Sequence, residues 1–131
     1  MDLVESLGNG AQRVFRWEDA DELGEVALAA SDDAVRVYLL CSGECVREAY
    51  GTAWHVGCVA LATGAAERLS KLLGGSGSLQ SDLAAFVRDG AWLAELLDVL
   101  DDAGIPYEYR SIDSVGVLVR MEEQAGLVAV N

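Results

Sequence analysis

The alternation of bulky and polar positions begins at Gln12 to Trp17, QRVFRW, where Val14, Phe15 and Trp17 predict a short strand. Asp19-Ala20-Asp21-Glu22 follows with the spacing of a capping box, an oxygen acceptor at the cap and a carboxylate three positions on. Its acids suit the positive end of a helix dipole. A helix from Asp19 to Ser31 is expected, with Leu23, Val26, Ala27 and Ala30 on one face and Asp32-Asp33 closing it. Ala34 to Cys41, AVRVYLLC, is rich in β-branched and aromatic residues, and Glu44 to Tyr50, ECVREAY, reads as its partner in a hairpin around Ser42-Gly43.

From Ala53 to Leu73 the pattern predicts one long helix whose first half is apolar nearly all round. Ala53, Gly57, Ala60 and Gly64 then form a stripe of small residues against which another backbone can approach closely, making them the candidate interface of a dimer. GGSGS at Gly74 to Ser78 breaks this helix, and Ser78 or Ser81 caps the next. Asp82 to Ala103 is the clearest amphipathic segment, with Leu83, Phe86, Leu93, Leu97 and Leu100 on one face and Asp89-Gly90 as a point of kink or division. Gly104-Ile105-Pro106 stops it. Three strands are expected at Tyr107 to Ile112, Val115 to Met121 and Gly126 to Val130, joined by short turns into an antiparallel meander. The predicted class is α+β: one domain over residues 1–131, a single mixed or antiparallel sheet of five to six strands, and three helices.

Composition narrows function more than fold. The chain has 131 residues, 52% of them hydrophobic, enough for a core that needs no staple. It carries 22 acids against 9 bases, a net charge of −13, which repels phosphate backbones and anionic membrane surfaces. Direct nucleic-acid binding and membrane binding are therefore not expected. A protein partner with a basic face is. The opening MDLVESLGNG is acidic where a secretory signal is basic, and no apolar run approaches the ~20 residues that span a bilayer. A cytoplasmic, bacterial setting is the expectation.

Candidate chemistry is sparse. With a two-residue loop at Ser42-Gly43, Cys41 and Cys45 fall on opposite faces of the sheet and cannot bridge. Three cysteines and one histidine do not make a zinc site. A reactive thiol at Cys41 or Cys45 remains an alternative, with Arg47 favouring the thiolate, Glu44 and Glu48 opposing it, and His55 as a base. GGSGS lacks the Gly-Lys-Ser/Thr of a phosphate-binding loop, and Asp82 would repel the phosphate, so a connector is expected. Asp98, Asp101 and Asp102 read as a solvated face rather than a cation site. No catalytic, cofactor or metal residues are assigned.

In order of elements alone, the predicted helix, the hairpin AVRVYLLCSGECVREAYG, the long helix and the meander resemble the Roadblock/LC7 type of dimerisation domain. ELGEVALAASDDAVRVYLL and LLDVLDDAGIPYEY are similar in texture to DsrE-like sulfur-transfer proteins, a resemblance that implies a parallel sheet and cysteine chemistry. The leading expectation is a non-enzymatic interaction or regulatory domain, as a homodimer. The alternatives are an acidic inhibitor that mimics nucleic acid, and a DsrE-like thiol enzyme using Cys41 or Cys45.

Overall fold

The computed structural model describes residues 10–19, 22–51 and 53–113 of the chain. Along them run β1 (Ala11–Asp19), β2 (Glu22–Ala30), β3 (Ala34–Gly43), α1 (Glu44–Tyr50), β4 (Trp54–Ala62), α2 (Thr63–Leu73), α3 (Leu79–Arg88), α4 (Leu93–Ala103) and β5 (Glu108–Asp113). The five strands form one sheet in sequential order, β1-β2-β3-β4-β5, with every neighbouring pair antiparallel. The class is α+β, as expected, with five strands and four helices among the described residues. Of the expected C-terminal meander, the first strand is β5, and the two after it lie outside the described residues.

Three expected elements are corrected. The helix over Asp19 to Ser31 is strand β2. Asp19 and Glu22, spaced like a capping box, face each other across the β1–β2 pair. Asp32 and Asp33 stand in the β2–β3 turn, where Ser31 N–H donates to the Ala34 carbonyl (2.8 Å) and the Ser31 hydroxyl to Asp33 (3.2 Å). The second arm of the expected hairpin is helix α1. Gly43, at φ 117° and ψ −165°, takes a conformation open essentially only to glycine and turns the end of β3 straight into that helix. Lastly, the long helix over Ala53 to Leu73 is strand β4 followed by helix α2.

Helices α2, α3 and α4 cover one face of the sheet. Val26 and Leu28 of β2, Val37 and Leu39 of β3, and Val59 and Leu61 of β4 meet Ala65, Ala66 and Leu69 of α2, Leu83 and Val87 of α3, and Leu96 and Leu100 of α4, all buried. The expected amphipathic segment divides as its Asp89-Gly90 suggested, α3 ending at Arg88 and Gly90 standing at φ 100°. Gly104 closes α4 in the left-handed conformation, φ 66°, and Ile105 N–H returns to the Leu100 carbonyl (2.9 Å). No helix among the described residues is long and apolar enough to cross a membrane.

The second face of the sheet is buried in its middle as well. Ala27, Tyr38, Leu40, Val56 and Cys58 are each at most 2% exposed, and Glu25 is wholly buried among them. A bulge in β1 makes this carboxylate tenable. Arg13 pairs with Ala27 and Arg16 with Glu25, three positions on β1 against two on β2, because the register slips between Arg13 and Phe15. Both side chains thereby reach Glu25, Arg13 Nε at 2.6 Å and Arg16 Nη1 at 3.9 Å. The arginines are 43% and 32% exposed, so they stay largely hydrated while the carboxylate does not.

That asymmetry sets a prediction. Removing a cation strands a buried anion, whereas removing the anion frees cations that water can reach. Arg13→Ala should cost about 2–3 kcal/mol, and Glu25→Leu, which fills the apolar face, no more than about 1 kcal/mol. Urea denaturation at neutral pH reads both, and equal losses would contradict the argument.

Candidate functional site

Four groups of side chains merit a chemical reading: the glycine-rich connector, a cleft beside it, the cysteines, and the acids of α4. The connector 74–78 joins α2 to α3: Ser76 N–H is engaged by the chain's own Asp82 carboxylate, Gly74 and Gly75 N–H by the Ser70 carbonyl, and Ser78 N–H by the Ser76 hydroxyl. Asp82, 4% exposed, accepts from the Ser70 hydroxyl (2.5 Å) and from Ser76 N–H at 3.2 and 3.4 Å to its two oxygens. Gly74 lies so close that a Cβ there would stand 2.8 Å from Asp82 Oδ1. Ser78 caps α3, its side chain accepting from Ser81 N–H (3.3 Å). Asp82, expected from the sequence to disfavour a phosphate, places its carboxylate against this connector. The Ser70 hydrogen bond, followed by those from Ser76, holds the Asp82 carboxyl below its ordinary range, outweighing the burial that acts against the charge.

Beside this connector a cleft of about 530 Å³ opens between the sheet and α2. Leu28, Ala30 and Val35 of the sheet and Ala66 of α2 line its apolar side, and Gln12, Glu67, Lys71, Ser78 and Gln80 supply polar groups. Lys71 is the only lysine in the chain. The volume lies within the range of pockets that hold small molecules. Sequence reasoning missed the cleft because its lining comes from β1, β2, β3, α2 and the α3 cap, and the strand β2 had been expected as a helix. The signal that pointed there was the lone lysine next to a glycine-rich break.

Cys41 sits near the end of β3, directly across from His55 of β4, and His55 is in turn the partner of Asp113 on β5. His55 is buried, and its Nε2 lies 2.7 Å from Ser111 Oγ. A thiol and an imidazole 14 residues apart in sequence thus become neighbours on the helix-facing side, at the end of the sheet where the Trp17 indole overlies Gly24. Cys45 is in the first turn of α1 rather than on a strand, so the expected two-residue hairpin does not relate it to Cys41. Cys41 and Cys58 carry free thiols. Arg47 is exposed and pairs with Glu44 at 3.6 Å. Cys58 is of the opposite kind to Cys41. Burial pushes its thiol up to about 12, against the hydrogen bond from the Tyr38 hydroxyl and the charges of Arg36 and Arg110.

The small residues expected to form a dimer stripe do not share a helix. Ala53 is exposed before β4, Gly57 lies on the helix-facing side of β4 beneath Leu93 and Tyr109, Ala60 points to the other face, and Gly64 is exposed in the first turn of α2. Asp98, Asp101 and Asp102 are exposed on α4, and Asp101 accepts from the Tyr107 hydroxyl (2.8 Å). Among the described residues no three His, Cys, Asp or Glu side chains come together as metal ligands.

A lowered carboxyl has a definite pH signature. The stability Asp82 contributes is present above its unfolded value and is lost as pH falls through its lower folded value. The native protein should therefore lose this part of its stability only on the acid side, below about pH 5. Asp82→Asn should be less stable at pH 7 and show a weaker dependence on pH through that window. Thermal unfolding from pH 7 to pH 3 tests this, and parallel curves for the two proteins would refute it.

The sheet is antiparallel throughout its described pairs, unlike the parallel sheet that the DsrE-like resemblance implies, and the described residues run strand–strand–strand where the Roadblock/LC7 order has a helix and then a hairpin. No family model matches the chain, and no curated protein and no solved structure matches it either.

Proposed function

We propose that this domain is a non-enzymatic regulatory module that takes a small amphipathic molecule in the cleft between the sheet and α2, and that the strongly acidic surface meets a partner protein with a basic face. The cleft is the observation that carries this reading. Its apolar side, from Leu28, Ala30, Val35 and Ala66, fits an apolar body, and Lys71 with Ser78 fits one polar or anionic end. Lys71 shares the cleft lining with Glu67, one turn earlier on α2, so the Lys71 and Ser78 side suits a single anionic end, and a polyanion is disfavoured by Glu67 and by the net charge of −13.

The fluorescent probe anilinonaphthalene sulfonate has this form, an apolar ring system with one sulfonate. It should bind the native protein saturably at one site. Ala30→Trp fills the cleft from an exposed position and should abolish that binding, and Lys71→Gln should weaken it about threefold to tenfold. Unsaturable binding, or undiminished binding to the well-folded Ala30→Trp protein, would remove the cleft as the ligand site.

A second reading, thiol-dependent activity, is favoured by the placement of Cys41 across from His55. It requires that the two thiols differ and that His55 matters to one of them. Under iodoacetamide at pH 8, with labelled peptides resolved by mass, Cys41 should react in the native protein while Cys58 stays unmodified until unfolding, since its thiolate is negligible well below about 12. His55→Asn should slow the Cys41 reaction several-fold at pH 7. An unchanged rate would leave the thiol reading without support.

A further inference from the structure

We propose that residues 1–9 of this chain dock in the cleft between the sheet and α2, so that a free ligand enters only by displacing them. Such docking rests on the cleft being a ligand site and adds its regulation. The point of attachment favours it. Gly10, the residue that follows the segment, lines the cleft together with Gln12 of β1. At φ 88° Gly10 takes a conformation that favours glycine and departs from the extended line of β1, whose pairing starts at Ala11 with Ala29. Nine residues span up to about 30 Å when extended. The wall that α2 gives the cleft runs from Thr63 to Lys71, about 12 Å of helix, so a segment held at Gly10 has length enough to follow it.

Chemical character favours it as well. MDLVESLGN sets Leu3, Val4 and Leu7 beside Asp2 and Glu5, an apolar body with carboxylates, which is the kind of ligand the cleft suits. Leu28, Ala30, Val35 and Ala66 offer those apolar side chains a matching floor. Lys71 can pair with one carboxylate, and Glu67, one turn earlier, leaves no place in the cleft for the second. Tethering then decides between this segment and other occupants. A segment held so closely has an effective concentration of about 1 mM, so an intrinsic affinity of only about 0.1 mM fills the cleft about nine-tenths of the time and weakens a free ligand about tenfold. A second copy brings the same residues without the tether, at whatever concentration the protein has in solution. At micromolar protein the chain's own segment prevails.

The test uses the full chain with its methyl groups labelled for nuclear magnetic resonance. Nuclear Overhauser contacts are expected in the free protein between the methyls of Leu3, Val4 or Leu7 and those of Ala30, Val35 or Ala66, and they should vanish as anilinonaphthalene sulfonate is added. Replacing Leu3→Ser and Leu7→Ser together should remove the contacts and tighten binding of the probe about tenfold. Absence of the contacts in the native protein overturns the proposal, as does a probe affinity that the double substitution leaves unchanged. Contacts that arise only between labelled and unlabelled molecules in a mixed sample assign the cleft to a second copy and overturn it too. Contacts within one chain, with no binding of the probe to either protein, support the docked segment and remove the small-molecule reading, so the two fail separately.

Discussion

The structure rests on a sheet whose middle strands are enclosed on both sides. Residues 24–28 of β2, 37–40 of β3 and 55–59 of β4 are buried without interruption, so successive side chains, which point to opposite faces, all leave water. A strand of that kind cannot alternate apolar with polar. It also constrains size, since the helix-facing side must leave depth for α2, α3 and α4 while the other side must close over Tyr38 and Cys58. Gly57 illustrates the tolerance: a Cβ there would meet Leu93 Cδ2 at 2.7 Å. Glu25, the single acid within this enclosure among the described residues, is reached by two arginines because β1 bulges opposite it.

That enclosure explains which elements could be read from the residues. An apolar run of eight or nine residues with no alternation is ambiguous between a buried strand and a buried helix, and alanine tips the reading toward helix. ELGEVALAA and WHVGCVALA are both of this type, and both are strands. By contrast, α3 and α4 each have a wet side, so their 3.6-residue period is plain, and the Gly104-Ile105-Pro106 stop acts through local backbone chemistry alone. β1, β3 and β5 fall within two residues of their expected ends because their bulky and β-branched residues stand beside polar ones. Helix α1 was not legible: seven residues with a valine and a tyrosine among them suit a strand equally well, and the deciding factor is the backbone of Gly43.

Sites were less legible than elements for a related reason. Cys41 and His55 were noticed by type, yet nothing local says that residue 41 faces residue 55; that follows only when β4 is a strand and its register is known. The burial of Arg36 Nε without a hydrogen bond was hidden in the same way, since it is a property of the assembled face and not of AVRVYLL.

The Asp82 carboxylate in the 74–78 turn has a consequence for how the α2–α3 corner behaves. Loops that converge backbone donors around an empty centre depend on the solution to fill them, and their order rises and falls with the phosphate or sulfate present. Here the anion is covalently part of the next helix, at an effective concentration no free ion attains. The corner is thus buffered against its ionic surroundings: its shape is set at synthesis, and the angle between two helices that wall the cleft does not wait on any dissolved salt.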